Sequence, residues 1–505
     1  MHVCQKWRQV VFAFPQTLHL RLYCKHGRPV LKTLGCWPAL PIVIQYGGSP
    51  SLDPPSPEDE DNVVSALKQS DRVSSISLTI TGSLLYKLFL VEEPFSVLED
   101  LVLLKNPMGL LLPNTFKWGS PLRRLHSTGI AFPALPQLLL PSIDLVDLQL
   151  HEIPGVGYFS PDAFASALSG MDQLKYLSLH FLSPASRPNH VDLSPSPGVR
   201  VVLPSLTHLK FRGVSEYLNS LVSKIDAPGL VAIEIGFFNQ LILRLSQLGQ
   251  FIDRIEMQKS HHRADILFSR RAVSISFTYP EARARLSLQI SCEQLEWQLS
   301  SMAQICNYFS PFLPNVQDLG VDTTQRSSGN DDVDDEQWRE LIRAFDGAED
   351  FRVTGELATD ILRALRPDDG EHETVLPALR NLCTPELMSI YGHGPLQEAV
   401  ESFTTSRRLS GHPARVWPLS TISPTLGAAG EVEDMPGVSP AQYHCSPCGT
   451  SFKNRQYLRR HNADKHMPRN VCPYCGVFEW SGRKYLFHKH LETRHPQVAS
   501  LVHSP

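Results

Sequence analysis

Residues 441–505 hold four of the ten cysteines and seven of the twenty histidines, in spacings that suit a metal ion. The first group reads Tyr443-x-Cys445-x2-Cys448-x3-Phe452-x5-Leu458-x2-His461-x4-His466. A Cys-x2-Cys turn brings two thiolates to adjacent corners of a zinc tetrahedron. Twelve further residues complete a second strand and begin a helix that supplies two imidazoles. Phe452 and Leu458 stand where so small a unit needs its apolar core. Four residues separate His461 from His466, so the helix must tighten or unwind at its last turn for both rings to reach one ion.

Cys472-x2-Cys475 opens a second group, in which His488, His490 and His495 compete for two places. His488 keeps the twelve-residue gap but stands seven before His495, outside the usual spacing of paired imidazoles. His490-x4-His495 repeats the first pairing, and Phe487 precedes His490 as Leu458 precedes His461. The expected ligands are therefore Cys472, Cys475, His490 and His495 across a gap of fourteen. Trp480 replaces the core phenylalanine, and the two extra residues fall near Ser481-Gly482. Four protein ligands close each shell, so two structural Zn2+ ions are expected and no open position activates water. Zinc should supply on the order of 10 kcal/mol or more of folding free energy per unit.

Over residues 443–496 both units resemble the two-Cys/two-His (CCHH-type) zinc-finger family. The resemblance implies two small ββα folds, finger 1 over 441–470 and finger 2 over 471–498. In members that read DNA, helix positions −1, 2, 3 and 6 face the bases. These fall on Asn454, Gln456, Tyr457 and Arg460 in finger 1, and on Arg483, Tyr485, Leu486 and Lys489 in finger 2. Arg460 and Arg483 suit guanine, and Asn454 or Gln456 suits adenine, whereas Tyr485 and Leu486 are poor readers of base edges. Two fingers span about six base pairs, and the linker Met467-Pro468-Arg469-Asn470-Val471 is shorter than that of DNA-tracking arrays. Nucleic acid and protein both stay open as the ligand of the fingers.

The charge of the chain separates this tail from what precedes it. Residues 441–505 carry ten Lys/Arg against three Asp/Glu, a net of +7, which favours nucleic acid. Residues 1–440 carry 37 against 48, a net of −11, and the whole 505-residue chain is at −4. With 42% hydrophobic and 19% charged residues the chain has the composition of a folded protein of several domains. No run of about 18 apolar residues indicates a membrane span, and the start Met1-His2-Val3-Cys4-Gln5-Lys6-Trp7-Arg8 is charged and helical in pattern, unlike a secretory signal. An intracellular protein is expected, with the nucleus ahead of the cytoplasm.

What positions the tail is a body with its own repeat. Leu-x-x-Leu-x-Leu occurs at Leu98/Leu101/Leu103, Leu145/Leu148/Leu150 and Leu174/Leu177/Leu179. Looser copies are Leu122/Leu125, Leu206/Leu209/Phe211, Leu230/Ile233/Ile235, Val316/Leu319/Val321 and Leu379/Leu382. Starts at 98, 122, 145, 174, 206 and 230 give intervals of 24, 23, 29, 32 and 24. The last two apolar positions share one strand face, and the first packs beneath the incoming turn. Ser160-Pro161-Asp162 caps a helix stopped at Gly170, and a second helix runs from Asp335 to Phe345 with Gly347 beyond it. The acidic run Asp331–Glu336 lies where it favours the positive end of that helix. The expected fold is α/β: a leucine-rich-repeat-like solenoid over 23–410, a flexible linker over 411–440, then the fingers. Ser49–Asp61, rich in proline and acid, reads as a solvated loop.

The opening Val3-Cys4-Gln5-Lys6-Trp7-Arg8-Gln9-Val10-Val11-Phe12, the segment Cys36-Trp37-Pro38-Ala39-Leu40-Pro41 and the repeats resemble fungal (basidiomycete) F-box proteins with leucine-rich-repeat-like regions, over roughly 1–410. The resemblance implies an F-box that recruits a ubiquitin-ligase adaptor and repeats that present substrate. Residues 1–22 match only the last F-box helix, and the earlier helices with the Leu-Pro motif have no counterpart, which argues against adaptor binding.

Catalysis has no foothold in the sequence. There is no Gly-x4-Gly-Lys-Ser/Thr loop, Gly-x-Ser-x-Gly elbow or His-Glu-x-x-His, and Gly155-Val156-Gly157 lacks the third glycine of a dinucleotide turn. Cys4, Cys24, Cys36, Cys292, Cys306 and Cys383 show no Cys-x2-Cys spacing and read as buried thiols. His151 and His180 read as isolated polar groups. The sequence therefore predicts a zinc-binding interaction protein, not an enzyme, with a protein partner on the repeats. The alternative is a ubiquitin-ligase substrate receptor with accessory fingers.

Overall fold

The structure, a computed structural model, describes residues 4–417 except 14–20, 26–29, 31–33, 35–39, 47–55, 82–83, 85–86, 88–92, 106–109, 112–116, 120, 133, 184–199, 241, 256–261, 279–284, 311–312, 325–332, 367–374 and 386–393. Beyond them it describes the backbone of 443–444, 451–452, 470–471 and 479–480. The chain divides into two units, residues 1–422 and 423–505.

In the first unit the period-two apolar segments form one mixed but mostly parallel sheet of sixteen strands. They are β1 (Leu22–Lys25), β2 (Ile42–Tyr46), β3 (Val73–Ile80), β4 (Asp100–Lys105), β5 (Arg124–Thr128), β6 (Asp147–Ile153), β7 (Tyr176–Phe181) and β8 (His208–Gly213). The rest are β9 (Ala232–Phe237), β10 (Arg263–Ser269), β11 (Ala272–Thr278), β12 (Arg285–Ser291), β13 (Asp318–Thr324), β14 (Asp350–Gly355), β15 (Asn381–Cys383) and β16 (Arg415–Trp417). Spatial order follows chain order except that β12, β11 and β10 appear reversed between β9 and β13. Strand β11 is antiparallel to both of its neighbours, and every other pairing in the sheet is parallel.

Register carries the repeat. The second apolar position of each copy aligns Leu101, Leu125, Leu148, Leu177, Leu209 and Ile233 across β4–β9, all buried. The third aligns Leu150, Leu179, Phe211 and Ile235 in a second buried row. The first apolar position of every copy, from Leu98 to Leu379, is also buried. A hydrogen-bond pattern recurs with the same period: the Glu99 carbonyl accepts from the amides of Arg123 and Arg124, Arg123 from Val146 and Asp147, and Val146 from Lys175 and Tyr176. Lys175 and Thr207 repeat it with the next strands, and Gln317 and Glu349 do so further along. Each repeat thus satisfies its incoming backbone on the one before, which a parallel strand entered through a tight turn requires.

Helices cover the face bearing the apolar rows. Following α1 (Gln5–Ala13) in the chain, they are α2 (Pro57–Leu67), α3 (Leu135–Leu139), α4 (Pro161–Leu168), α5 (Ser215–Val222), α6 (Ser246–Asp253), α7 (Leu295–Tyr308), α8 (Asp335–Arg343), α9 (Ala358–Ala364) and α10 (Gly394–Leu409). From α3 to α6, and again from α7 to α10, each packs on the next; Gln304 of α7 joins the two runs by accepting from the Leu243 amide, 3.2 Å away. Tyr217 of α5 lies edge-on to Phe181 of β7 at 4.8 Å, and Trp338 of α8 meets Phe268 of β10 at 5.3 Å. Burying one such side chain contributes about 2–3 kcal/mol.

Several expectations meet the structure directly. Ser160 caps α4 by accepting from Ala163, and Asp334 caps α8 by accepting from Glu336. The Ser49–Asp61 stretch is not a loop throughout. Ser56 and Asp59 form a capping box with Pro57 at the first turn of α2, and Glu60 is only 6% exposed because Thr81 and Lys87 hold its carboxylate. Residues 49–55 lie outside the described residues. Strand β16 falls inside the stretch expected as linker and extends the sheet from β15. Cys24, Cys292, Cys306 and Cys383 are buried as expected, but Cys4 is exposed; Cys36 lies outside the described residues.

Candidate functional site

In the second unit the described backbone consists of two short antiparallel pairs. Strand β17 (Tyr443–His444) pairs with β18 (Ser451–Phe452), placing Tyr443 opposite Phe452. Strand β19 (Asn470–Val471) pairs with β20 (Glu479–Trp480), placing Asn470 opposite Trp480. In both, the first Cys-x2-Cys thiol follows directly on the first strand, and both thiols lie in the segment joining the strands. That is where a zinc-binding turn needs them. Trp480 occupies the register position of Phe452.

The register also relocates part of the length difference. Six residues, 445–450, join β17 to β18, whereas seven, 472–478, join β19 to β20. One of the two extra residues therefore enters before Trp480, inside the hairpin connection; Ser481-Gly482 lies outside the described residues. The expected ligands Cys445, Cys448, His461, His466, Cys472, Cys475, His490 and His495 lie outside the described residues. So do Asn454, Gln456, Tyr457, Arg460, Arg483, Tyr485, Leu486 and Lys489.

In the first unit the strand positions between the apolar rows form a polar face. Over β5–β7 this face brings together three histidines that the sequence scattered. His126 and His151 meet edge-on with ring centroids 5.1 Å apart, and His151 stacks on His180 at 4.4 Å with 13° between planes. The cause is the strand register. Leu150 pairs with Leu179, so the next residues, His151 and His180, come side by side; the register shifts only beyond them, where Glu152 takes a left-handed φ of 52° as the bulged residue. The buried Ser178 hydroxyl sits between them, 2.9 Å from His151 Nε2 and 3.4 Å from His180 Nε2. The reading of His151 and His180 as isolated groups is thus corrected.

Burial pushes all three imidazoles below their ordinary titration range, and for His180 the value falls to about 4. Repulsion from His151, Arg212 and Lys210 adds to burial at His180. Next along, Lys210 pairs with Glu234 at 2.9 Å and lies 5.9 Å from the Tyr176 ring. Arg212 extends over the Phe238 ring at 5.9 Å. The signal was present in the sequence: His151 and His180 each stand three residues after the second apolar position of their copies, Leu148 and Leu177.

At the other end of the same face lies a second polar cluster that is internally paired. Arg263 holds Asp265 at 2.9 Å and Asp318 at 3.6 Å, and Arg352 reaches Asp265 from β14. Asp318 nevertheless titrates higher than an ordinary carboxylate, because its burial outweighs the nearby arginines. Among the described residues no group of three or more His, Cys, Asp or Glu side chains is placed to hold a metal ion, and no helix is long and apolar enough to cross a membrane. No protein-family model matches the chain, and no curated protein is significantly similar to it.

Proposed function

We propose that this chain is a zinc-binding interaction protein, in which a leucine-rich-repeat-like solenoid holds a protein partner and two CCHH-type fingers hold nucleic acid or a second protein. The observation that carries the zinc reading is the shared register of the two hairpins around the two Cys-x2-Cys pairs. Cys445, Cys448, His461 and His466 hold one ion, and Cys472, Cys475, His490 and His495 the other. Bound there, zinc supplies folding free energy and no chemistry. The stacked rows and the repeated double acceptance by one carbonyl support the repeat reading.

Protein binding falls to the polar face because helices occupy the other. A benzophenone side chain placed at Gln149, on the open face, should form adducts with the partner, whereas one placed at exposed Glu340 of α8 should not. Adducts from Glu340 alone would refute this assignment. For the fingers, binding of duplex DNA should weaken steeply with salt and fall further in Arg460→Ala and Arg483→Ala. Absence of binding at low salt removes nucleic acid and leaves protein.

The second reading, a ubiquitin-ligase substrate receptor, draws on helix α1 at the position of the last F-box helix. Pull-down of a Skp-type adaptor by the full chain, lost when residues 4–13 are deleted, would favour it.

A further inference from the structure

We propose that Arg212 and the stacked His151–His180 pair form a proton-gated seat for an acidic segment of a protein partner. This rests on the reading of the polar face as the partner surface and names the chemistry of what binds there.

The charged and titratable groups facing the pair come from five strands. Strand β5 brings Arg124 and His126; β6 brings Asp147 and Glu152; β7 brings Tyr176; β8 brings His208, Lys210 and Arg212; and β9 brings Glu234. Most of the charges are already committed. Arg124 is bound to Asp100 at 2.6 Å, Lys210 to Glu234 at 2.9 Å, and Asp147 accepts from the Gln149 amide at 3.0 Å. Arg212 is different: among the described residues no carboxylate pairs with it, and its guanidinium stands exposed over Phe238. Such a fork is built to take a carboxylate through two parallel hydrogen bonds.

The imidazoles beside it add the gate. They stay neutral because they are half-buried, because they repel one another and because Arg212 and Lys210 are near. A carboxylate seated on Arg212 opposes that repulsion and favours the imidazolium form. Binding must then take up protons and tighten as pH falls. At neutral pH residues 1–440 carry a net charge of −11 and repel acidic ligands at long range; the twenty histidines raise the charge of the chain as pH falls, and the double variant below separates that general gain from the seat.

The test uses the full chain and a fluorescent peptide of alternating Glu and Gly, with a Gln/Gly peptide as control; ordinary glutamates remain ionised at pH 5.5. Circular dichroism at each pH verifies that the chain is folded. The acidic peptide should bind at least fivefold more tightly at pH 5.5 than at pH 7.5, and the control should show no such gain. Arg212→Gln should lose most of the affinity at both pH values. The His151→Gln/His180→Gln double variant should lose most of the gain between the two pH values. If the chain unfolds at pH 5.5, calorimetry at pH 6.5 in buffers of different ionisation heat reads the proton uptake instead. Equal affinity at both pH values, a gain that survives the double variant, or zero proton uptake overturns the seat. Equal binding of both peptides also overturns it, yet leaves the face protein-binding; that wider reading fails separately, by the cross-linking from Gln149 and Glu340.

Discussion

Acid should destabilise the first unit through His180 before it protonates the carboxylates. In the folded chain burial holds this imidazole at about 4, whereas in the unfolded chain it titrates near its ordinary value of 6.5. Above pH 6.5 neither state binds the proton and stability is complete. Between 6.5 and 4 only the unfolded state binds it, so stability is lost as pH falls, and the loss is full below 4. From pH 7.5 to 5 this linkage amounts to roughly 2 kcal/mol, reduced toward about 1 kcal/mol because the ring edge is partly open to solvent. His126 and His151 are lowered in the same direction and add to the loss. The assay compares urea midpoints of the wild-type chain and His180→Gln at pH 7.5 and 5, with carbon-13 imidazole shifts reporting the titration itself. The variant should lose less stability than the wild type over that interval. Identical pH slopes, or a His180 that titrates near 6.5, would refute the reasoning, since either means the ring is not desolvated by the stack.

Three further outcomes are expected. The full chain should bind two equivalents of zinc, measured by chelator release, with one remaining in Cys445→Ser and one in Cys472→Ser; loss of both in either variant would mean the sites are not independent. Arg407 is 1% exposed and donates to the carbonyls of Val375, Leu376 and His412, so Arg407→Ala should cost about 3–5 kcal/mol. Hydrogen exchange of the amides in α10 and in 375–380 should show it, and unchanged protection there would contradict the assignment. A Cβ at Gly347 would run into the Pro314 carbonyl, and Gly355, at φ 86°, would set one against Thr323; Gly347→Ala and Gly355→Ala should each lower the urea midpoint by the equivalent of about 1–3 kcal/mol.

Features set within a few residues were legible in the sequence. The cap at Ser160 and the triplets at Leu98, Leu145 and Leu174 each announce themselves locally, and the helix and strands they call for are present. The capping box at Ser56 was equally local, but the prolines around it suggested loop. The histidine stack was hidden for a different reason. Its members are 25 and 29 residues apart, and only the alignment of one copy on the next, Leu125 on Leu148 on Leu177, brings them side by side. Gly347 was read as a helix stop, yet what demands glycine there is the approach of Pro314, a contact across elements that no local pattern encodes.

The gap in the repeat between the copies at Leu230 and Val316 has a topological cause. Strands β10, β11 and β12 are joined directly as antiparallel neighbours, so they need no crossover helix and no leucine to pack beneath an incoming turn. Their sequences keep the alternation alone, and a search for three-position copies passes over them. The buried rows nevertheless continue unbroken: Ile233 of β9 aligns with Leu286, Phe277, Ala264 and then Leu319 of β13. Ile235 likewise leads through Leu288, Ile275 and Ile266 to Val321. Three strands, an odd number, return the chain to its original direction, so β13 resumes the parallel pattern and the same face remains apolar. A two-strand insertion would have set an antiparallel pairing against either β9 or β13. The meander therefore lengthens the polar face by small side chains, Ser287, Ser276 and Ser274 among them, between the Arg212–His180 cluster and the paired charges at Asp265 without interrupting the core beneath it.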